Sequence, residues 1–189
     1  VAAALAAARQ GASVQLIETH GQLGGVWTTG LLSWIIDAAN KPGIMREITE
    51  RLNQRSEIVG GEAWNFKGSA PYDAEQMKLV LEQMCTEAGV RVRLHTRVVD
   101  AAVDDAGRVT AAVTESKSGR QAWAAELFVD ATGDGDLAAQ AGCGFDYGRP
   151  GSGQTQPMSM IVLRVGIEPE GVAPVVRGLA EPRGERDPK

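Results

Sequence analysis

A helix-forming run that halts at a glycine and passes directly into a strand closed by an acid constrains this chain more than any other feature. The first ten residues, VAAALAAARQ, favour helix throughout, and Gly11 supplies a C-terminal stop. Residues 13–18, SVQLIE, alternate and carry β-branched side chains in the manner of a strand that ends on Glu18. Helix, glycine, strand and acid form the second half of a βαβ unit. The first half, a strand and a glycine-rich turn, is expected immediately before Val1, and a chain opening on Val in mid-helix reads as a fragment. At such a strand end a carboxylate, which only accepts hydrogen bonds, suits the two hydroxyls of an adenosine ribose. Glu18 is therefore a ribose candidate, against the plainer alternative of a solvated glutamate at a strand end.

Residues 21–30, GQLGGVWTTG, make a glycine-rich loop. Bare peptide units at Gly24 and Gly25 would let the backbone approach a pyrophosphate or a ribityl chain, and Thr28 or Thr29 could donate a hydroxyl. The alternative is a flexible loop with two permissive residues. Trp27 suits the core better than a stacking role, and His20 reads as a surface loop residue. After the uncertain apolar segment LLSWIIDAAN, residues 42–55 place Ile44, Met45, Ile48 and Leu52 at helical spacing. Residues 56–72 read as a polar loop. Asp73 can cap a helix running to about Ala88, with Met77, Val80, Leu81 and Met84 on one apolar face and Gly89 closing it. From Val90 the period falls toward two, and VRVRLH, RVVDAAV, VTAAVTES and RQAWAAELFVD read as successive strands.

That excursion returns to FVDATGDGDLAAQAG, residues 128–142, a passage from strand to glycines and aspartates to helix. One reading is turn chemistry, with Asp134 or Asp136 capping the helix; the other sets bare backbone against a phosphate or sugar. A Gly- and Pro-rich linker then leads to PMSMIVLRVG, residues 157–166, read as another strand.

Composition removes several function classes. At 189 residues and a net charge of −5, without a basic stripe, no nucleic-acid partner is expected. No apolar run approaches the ~20 residues that span a bilayer, so no membrane partner is expected and a cytoplasmic location is. Cys85 and Cys143 form no C-x-x-C pair, and His20 and His95 lack ligand spacing, so no metal site is expected.

The order of these features resembles the FAD-dependent oxidoreductases of the glutathione-reductase type, in which a dinucleotide-binding domain is interrupted by a substrate-side domain. LGGVWTTG, PGIMREITERL, DATGDGDLAAQAG and QPMSMIVLRVG are similar to segments of one subgroup of these flavoproteins, and the likeness spans about residues 1–166. It implies an α/β fold: a Rossmann-like, three-layer FAD-binding domain with a partly parallel sheet and an antiparallel β-meander inserted at about 97–127, incomplete here. Residues 1–148 would form that partial domain and 149–189 the truncated start of the substrate-side domain. The implied cofactor is non-covalent FAD. Glu18 would hold the adenosine ribose, Gly24, Gly25 and Thr28 would line the pyrophosphate and ribityl region, and Val98 within HTRVV would meet the adenine. Thr132 and Gly133 match the family's Ala-Thr-Gly turn beside the dinucleotide, whereas Asp134 or Asp136 would cap the next helix, since a carboxylate repels a diphosphate. The G-x-G-x-x-G turn and the terminal flavin segment with its Gly-Asp pair are absent from these residues. The complete protein is thus expected to bind FAD and to pass hydride or electrons between a small-molecule substrate and an electron donor or acceptor. Iron–sulfur clusters of some relatives gain no support from these two cysteines. A nicotinamide-dependent dehydrogenase and a Rossmann-like module without catalysis are the competing readings. The sequence names no catalytic acid or base, no substrate and no oligomeric state.

Overall fold

The computed structural model describes residues 1–36, 38, 41–58, 70–162, 166 and 168. Two compact units meet the eye, Val1–Ser159 and Met160–Lys189, and the described residues of the second carry neither helix nor strand. In chain order the first unit contains α1 (Ala2–Arg9), β1 (Gln15–Ile17), a single 3-10 turn (Gly25–Trp27), β2 (Trp34–Ile35), α2 (Ile44–Ile58), β3 (Ala70–Pro71), α3 (Ala74–Glu87), β4 (Arg91–Arg93), β5 (Arg97–Val103), β6 (Val109–Ser116), β7 (Gly119–Ala124) and α4 (Asp136–Gln140). The fold is mixed α/β, with a parallel and an antiparallel sheet.

The parallel part is β1 beside β4, with Leu16 opposite Val92. α1 leads into it and ends at its glycine: Gly11, at φ +89, donates its N–H to the carbonyl of Ala8. α3 leads out of it. Asp73 caps α3 by accepting the N–H groups of Glu75 and Gln76 at 2.7 and 3.4 Å. The α3 face bearing Met77, Val80, Leu81, Met84 and Cys85 is buried against Leu5 of α1, Leu23, Ile35 of β2, and Ile48 and Leu52 of α2. These methionines are core, as their spacing predicts. At the solvent margin an ion chain crosses three helices: Arg9 to Glu47 at 2.7 Å, Glu47 to Arg51 at 2.9 Å, and Arg51 to Glu87 at 2.7 Å.

The expected meander is present as β5–β6–β7. Its hairpins close where short side chains and glycine allow, with Asp104 accepting the N–H groups of Ala106 and Arg108 and Gly119 at φ +92. Trp123 donates its indole N–H to the buried Thr114 hydroxyl at 2.8 Å, and the Arg93 guanidinium sits over the Trp123 ring, 5.7 Å from its centroid. That stack fastens the meander to the parallel pair.

Three local expectations change. Residues 128–130 form no strand; Leu127 and Val129 are 87% and 71% exposed, because no described strand runs alongside to complete a ladder. Residues 157–162, also expected as strand, carry none, and 163–165 lie outside the described residues. The polar loop expected at 56–72 begins inside α2 and ends in β3, which pairs with β2 through Trp34 opposite Pro71; residues 59–69 lie outside the described residues. Among the described residues no helix is long and apolar enough to cross a membrane.

Candidate functional site

Five of the seven residues singled out in the sequence lie in the segments that follow the parallel pair: Glu18, Gly24, Gly25 and Thr28 after β1, and Val98 after β4. Glu18 follows β1. Its N–H donates to the carbonyl of Arg93 at 2.8 Å and its carbonyl accepts from Thr96 at 2.9 Å, so the backbone is held between β4 and the entry to β5. Its carboxylate accepts the N–H of His20 at 2.9 Å through one oxygen, and no cation pairs with it among the described residues. Beside it His95 adopts φ +51 and lays its ring over Gly21, where an added Cβ would lie 2.8 Å from Cε1. Thr96 is buried, and Val98 follows half-buried on β5 at a bulge between Val98 and Asp100. His20 is exposed, as expected of a loop residue.

The glycine loop that follows is tightly built, contrary to the idea of a flexible link. Leu23 anchors it in the core, and the buried Thr28 donates its hydroxyl to the Leu23 carbonyl at 2.7 Å. Gln22 donates its amide to the Thr29 hydroxyl at 2.9 Å. Gly24 sits at φ +114, where a Cβ would meet Thr28 at 2.7 Å and Leu81 at 3.0 Å; Gly25, at φ +55, faces open space. Further on, a Cβ at Gly30 would lie 2.8 Å from the Val26 carbonyl oxygen. The N–H groups of Trp27, Thr28, Gly30 and Leu32 return to carbonyls within the loop. Those of Gly24, Gly25 and Val26 meet no acceptor among the described residues. Three successive donors at a bend, with a bare Cα at two of them, suit an anionic oxygen. Thr28 builds this loop through its hydroxyl, and Trp27 packs against the core.

Tyr72, which the sequence reading placed in a polar loop, closes the same loop from the other side. Its hydroxyl lies 2.8 Å from the Trp27 carbonyl and 2.7 Å from that of Leu32. Burial pushes the phenol well above the ordinary tyrosine range, so it stays protonated and donates.

The remaining two residues, Thr132 and Gly133, stand in the turn that enters α4, which lies against β5. The capping expected of Asp134 or Asp136 is done by Asp130. Its carboxylate accepts from the N–H and the hydroxyl of Thr132 at 2.9 and 2.8 Å and from the N–H of Ala138 at 2.8 Å. Thr132 in turn accepts the Asp136 N–H at 2.8 Å, while the N-cap Gly135 offers no side chain. Burial raises the Asp130 pKa, but these hydrogen bonds outweigh it and leave the carboxyl below the ordinary value. An aspartate two residues before a threonine is an Asx-turn signal, and it was legible in the DAT triplet. Gly133, at φ +97, is exposed with nothing within 4 Å of an added Cβ. A concavity of about 960 Å³ lies elsewhere, along residues 148–157, lined by Arg149, Ser152, Gln154, Thr155 and Gln156; it shares no residue with the glycine loop.

Against known proteins, the family model described as FAD dependent oxidoreductase matches residues 1–187. The chain belongs to this family. No curated protein matches. Among solved structures, THI4 of Thermovibrio ammonificans is similar with a TM-score of 0.51 and 18% identity, covering 74% of this chain and 55% of its own. The myxobacterial chondrochloren halogenase CndH, described as a new variant of FAD-dependent halogenases, gives 0.50 and 19%, covering 68% of this chain and 33% of its own. A triple mutant of the flavin-dependent brominase Bmp2 gives 0.53 and 15%, covering 74% and 37%. At these identities the likeness is one of fold, and the chain spans about half or less of each protein's length.

Among Glu18 and the loop donors no nucleophile with an adjoining base stands. Cys85 is buried with its thiol pushed up by burial, and no group of three potential metal ligands occurs among the described residues. In a family that depends on a flavin, the redox chemistry is the cofactor's and the protein's part is to hold and orient it.

Proposed function

We propose that this chain holds FAD in a flavoprotein oxidoreductase that acts on a small molecule and exchanges electrons with a second donor or acceptor. One observation carries this: the acceptor-free N–H groups of Gly24, Gly25 and Val26 lie a short loop beyond Glu18, at the carboxyl end of a parallel pair. The donor set fits the group. Gly24 and Gly25 would face the pyrophosphate, with Thr28 fixing their loop from beneath, and the unengaged oxygen of Glu18 would accept from the ribose. Val98 would lend its backbone to the adenine edge. The turn at Thr132 and Gly133, braced by Asp130, would close beside the dinucleotide. Bound FAD supplies hydride or electron transfer. This chain's residues bind it, orient it and fix which of its edges stay accessible. The concavity around Arg149 is where we place the beginning of the substrate side.

The test is the visible spectrum of the full-length protein. A yellow preparation with flavin absorbance, losing colour on reduction and releasing FAD on denaturation, is the expected result. A colourless protein that takes up no flavin on incubation with FAD overturns the proposal, and saturable binding of a nicotinamide nucleotide in its place would favour the dehydrogenase.

A further inference from the structure

Tyr72 grips the glycine loop from the side of the helical core. The residue is 5% exposed, and its single phenolic proton is within reach of two carbonyls, those of Trp27 and Leu32. These carbonyls bracket the returning limb of the loop, the limb that turns where Gly30 presses on the Val26 backbone. Tyr72 is itself fixed. Its N–H donates to the Ser33 carbonyl at 3.1 Å, the β2–β3 pairing ends one residue before it, and the Asp73 cap of α3 begins one residue after. A rigid lever therefore runs from α3 through the phenol into the loop.

We propose that Tyr72 is a positioning residue for the flavin-phosphate site: its hydroxyl holds residues 24–32 in the shape that leaves the Gly24, Gly25 and Val26 N–H groups free for the cofactor. This rests on the FAD-binding role proposed above. Removing the hydroxyl leaves the Trp27 carbonyl without its donor and the Leu32 carbonyl with only the Trp34 N–H, while the ring still fills its space, so the loop loses its shape rather than the core its packing. The loop donors then need ordering when the cofactor arrives, which weakens binding.

The experiment uses the full-length protein and Tyr72→Phe, with Leu52→Val as a core control distant in sequence from the loop. At a temperature well below unfolding, Tyr72→Phe is expected to raise the Kd for FAD about tenfold, the effect of losing one hydrogen bond, and to speed amide exchange in peptides covering residues 24–32. Leu52→Val is expected to lower Tm while leaving the Kd unchanged. An unchanged Kd in folded Tyr72→Phe, or an equal rise in the control, overturns the proposal. A measurement on the wild type needs no variant: FAD should slow exchange at residues 24–32 and at Tyr72 together, and protection of the loop without protection at Tyr72 overturns it as well. A wild type that takes up no FAD overturns the binding role itself, an outcome distinct from wild-type binding with a silent Tyr72→Phe.

Discussion

Glu18 has one carboxylate oxygen on the His20 N–H and the other without a partner among the described residues, so its replacement removes little from the fold and much from a ligand. Glu18→Ala in the full-length protein is expected to weaken FAD binding by about 1–3 kcal/mol with Tm little changed, as read by titration of flavin fluorescence. Asp130 is the opposite case, because its carboxylate is engaged within the chain. Asp130→Ala should cost about 1–2 kcal/mol through lost capping and turn bonds. Its folded pKa lies below the ordinary 3.8, so its contribution is complete above that value and disappears as pH falls through the lower folded value. Acid unfolding followed by circular dichroism should therefore show a smaller loss of stability below about pH 4 in the Ala variant than in the wild type. The sequence made Glu18, Gly24 and Gly25 visible because residue type and spacing carry their chemistry. It pointed to Asp134 and Asp136 for the cap since both stand nearest the helix, whereas reach across the turn selects Asp130. Tyr72 escaped for a related reason: nothing local in APYDAE tells which carbonyls, some 40 residues earlier, its hydroxyl will meet.

Elements whose signals are internal were legible. α3 announces itself through the Asp73 cap, a repeating apolar face and Gly89, and the three meander strands through alternation broken by turn residues. β2 and β3 were not, since two residues each carry no period and exist because they pair with one another. Residues 128–130 show the converse, β-prone side chains with no strand beside them among the described residues. The helices also carry the margin of ion pairs around Glu47, whose carboxyl lies below its ordinary value chiefly because Arg9 donates to it. With these side chains a quarter or more exposed, solvent screens the pairing. Glu47→Gln is expected to cost under about 1 kcal/mol, and the difference from wild type in urea unfolding should shrink further in 1 M salt.

At the scale of the molecule, the core and the candidate site are one construction. Leu81 is buried among the side chains that pack α3 onto α1 and α2, and its Cδ1 lies 3.0 Å from where a Cβ on Gly24 would stand. Leu81→Ala should lower stability by about 2–5 kcal/mol, measured by denaturant unfolding, and should in addition weaken FAD binding in the fraction that remains folded. An unchanged Kd for FAD in folded Leu81→Ala would separate packing from site. The overall class was readable because helix, glycine, strand and acid recur in a fixed order. How the turns meet one another was not, because those contacts join residues far apart in the sequence. The Arg93 guanidinium over the Trp123 ring, which fastens the meander to the parallel pair, also makes that indole an optical reporter: a substitution that loosens the joint between the two sheets should shift its emission.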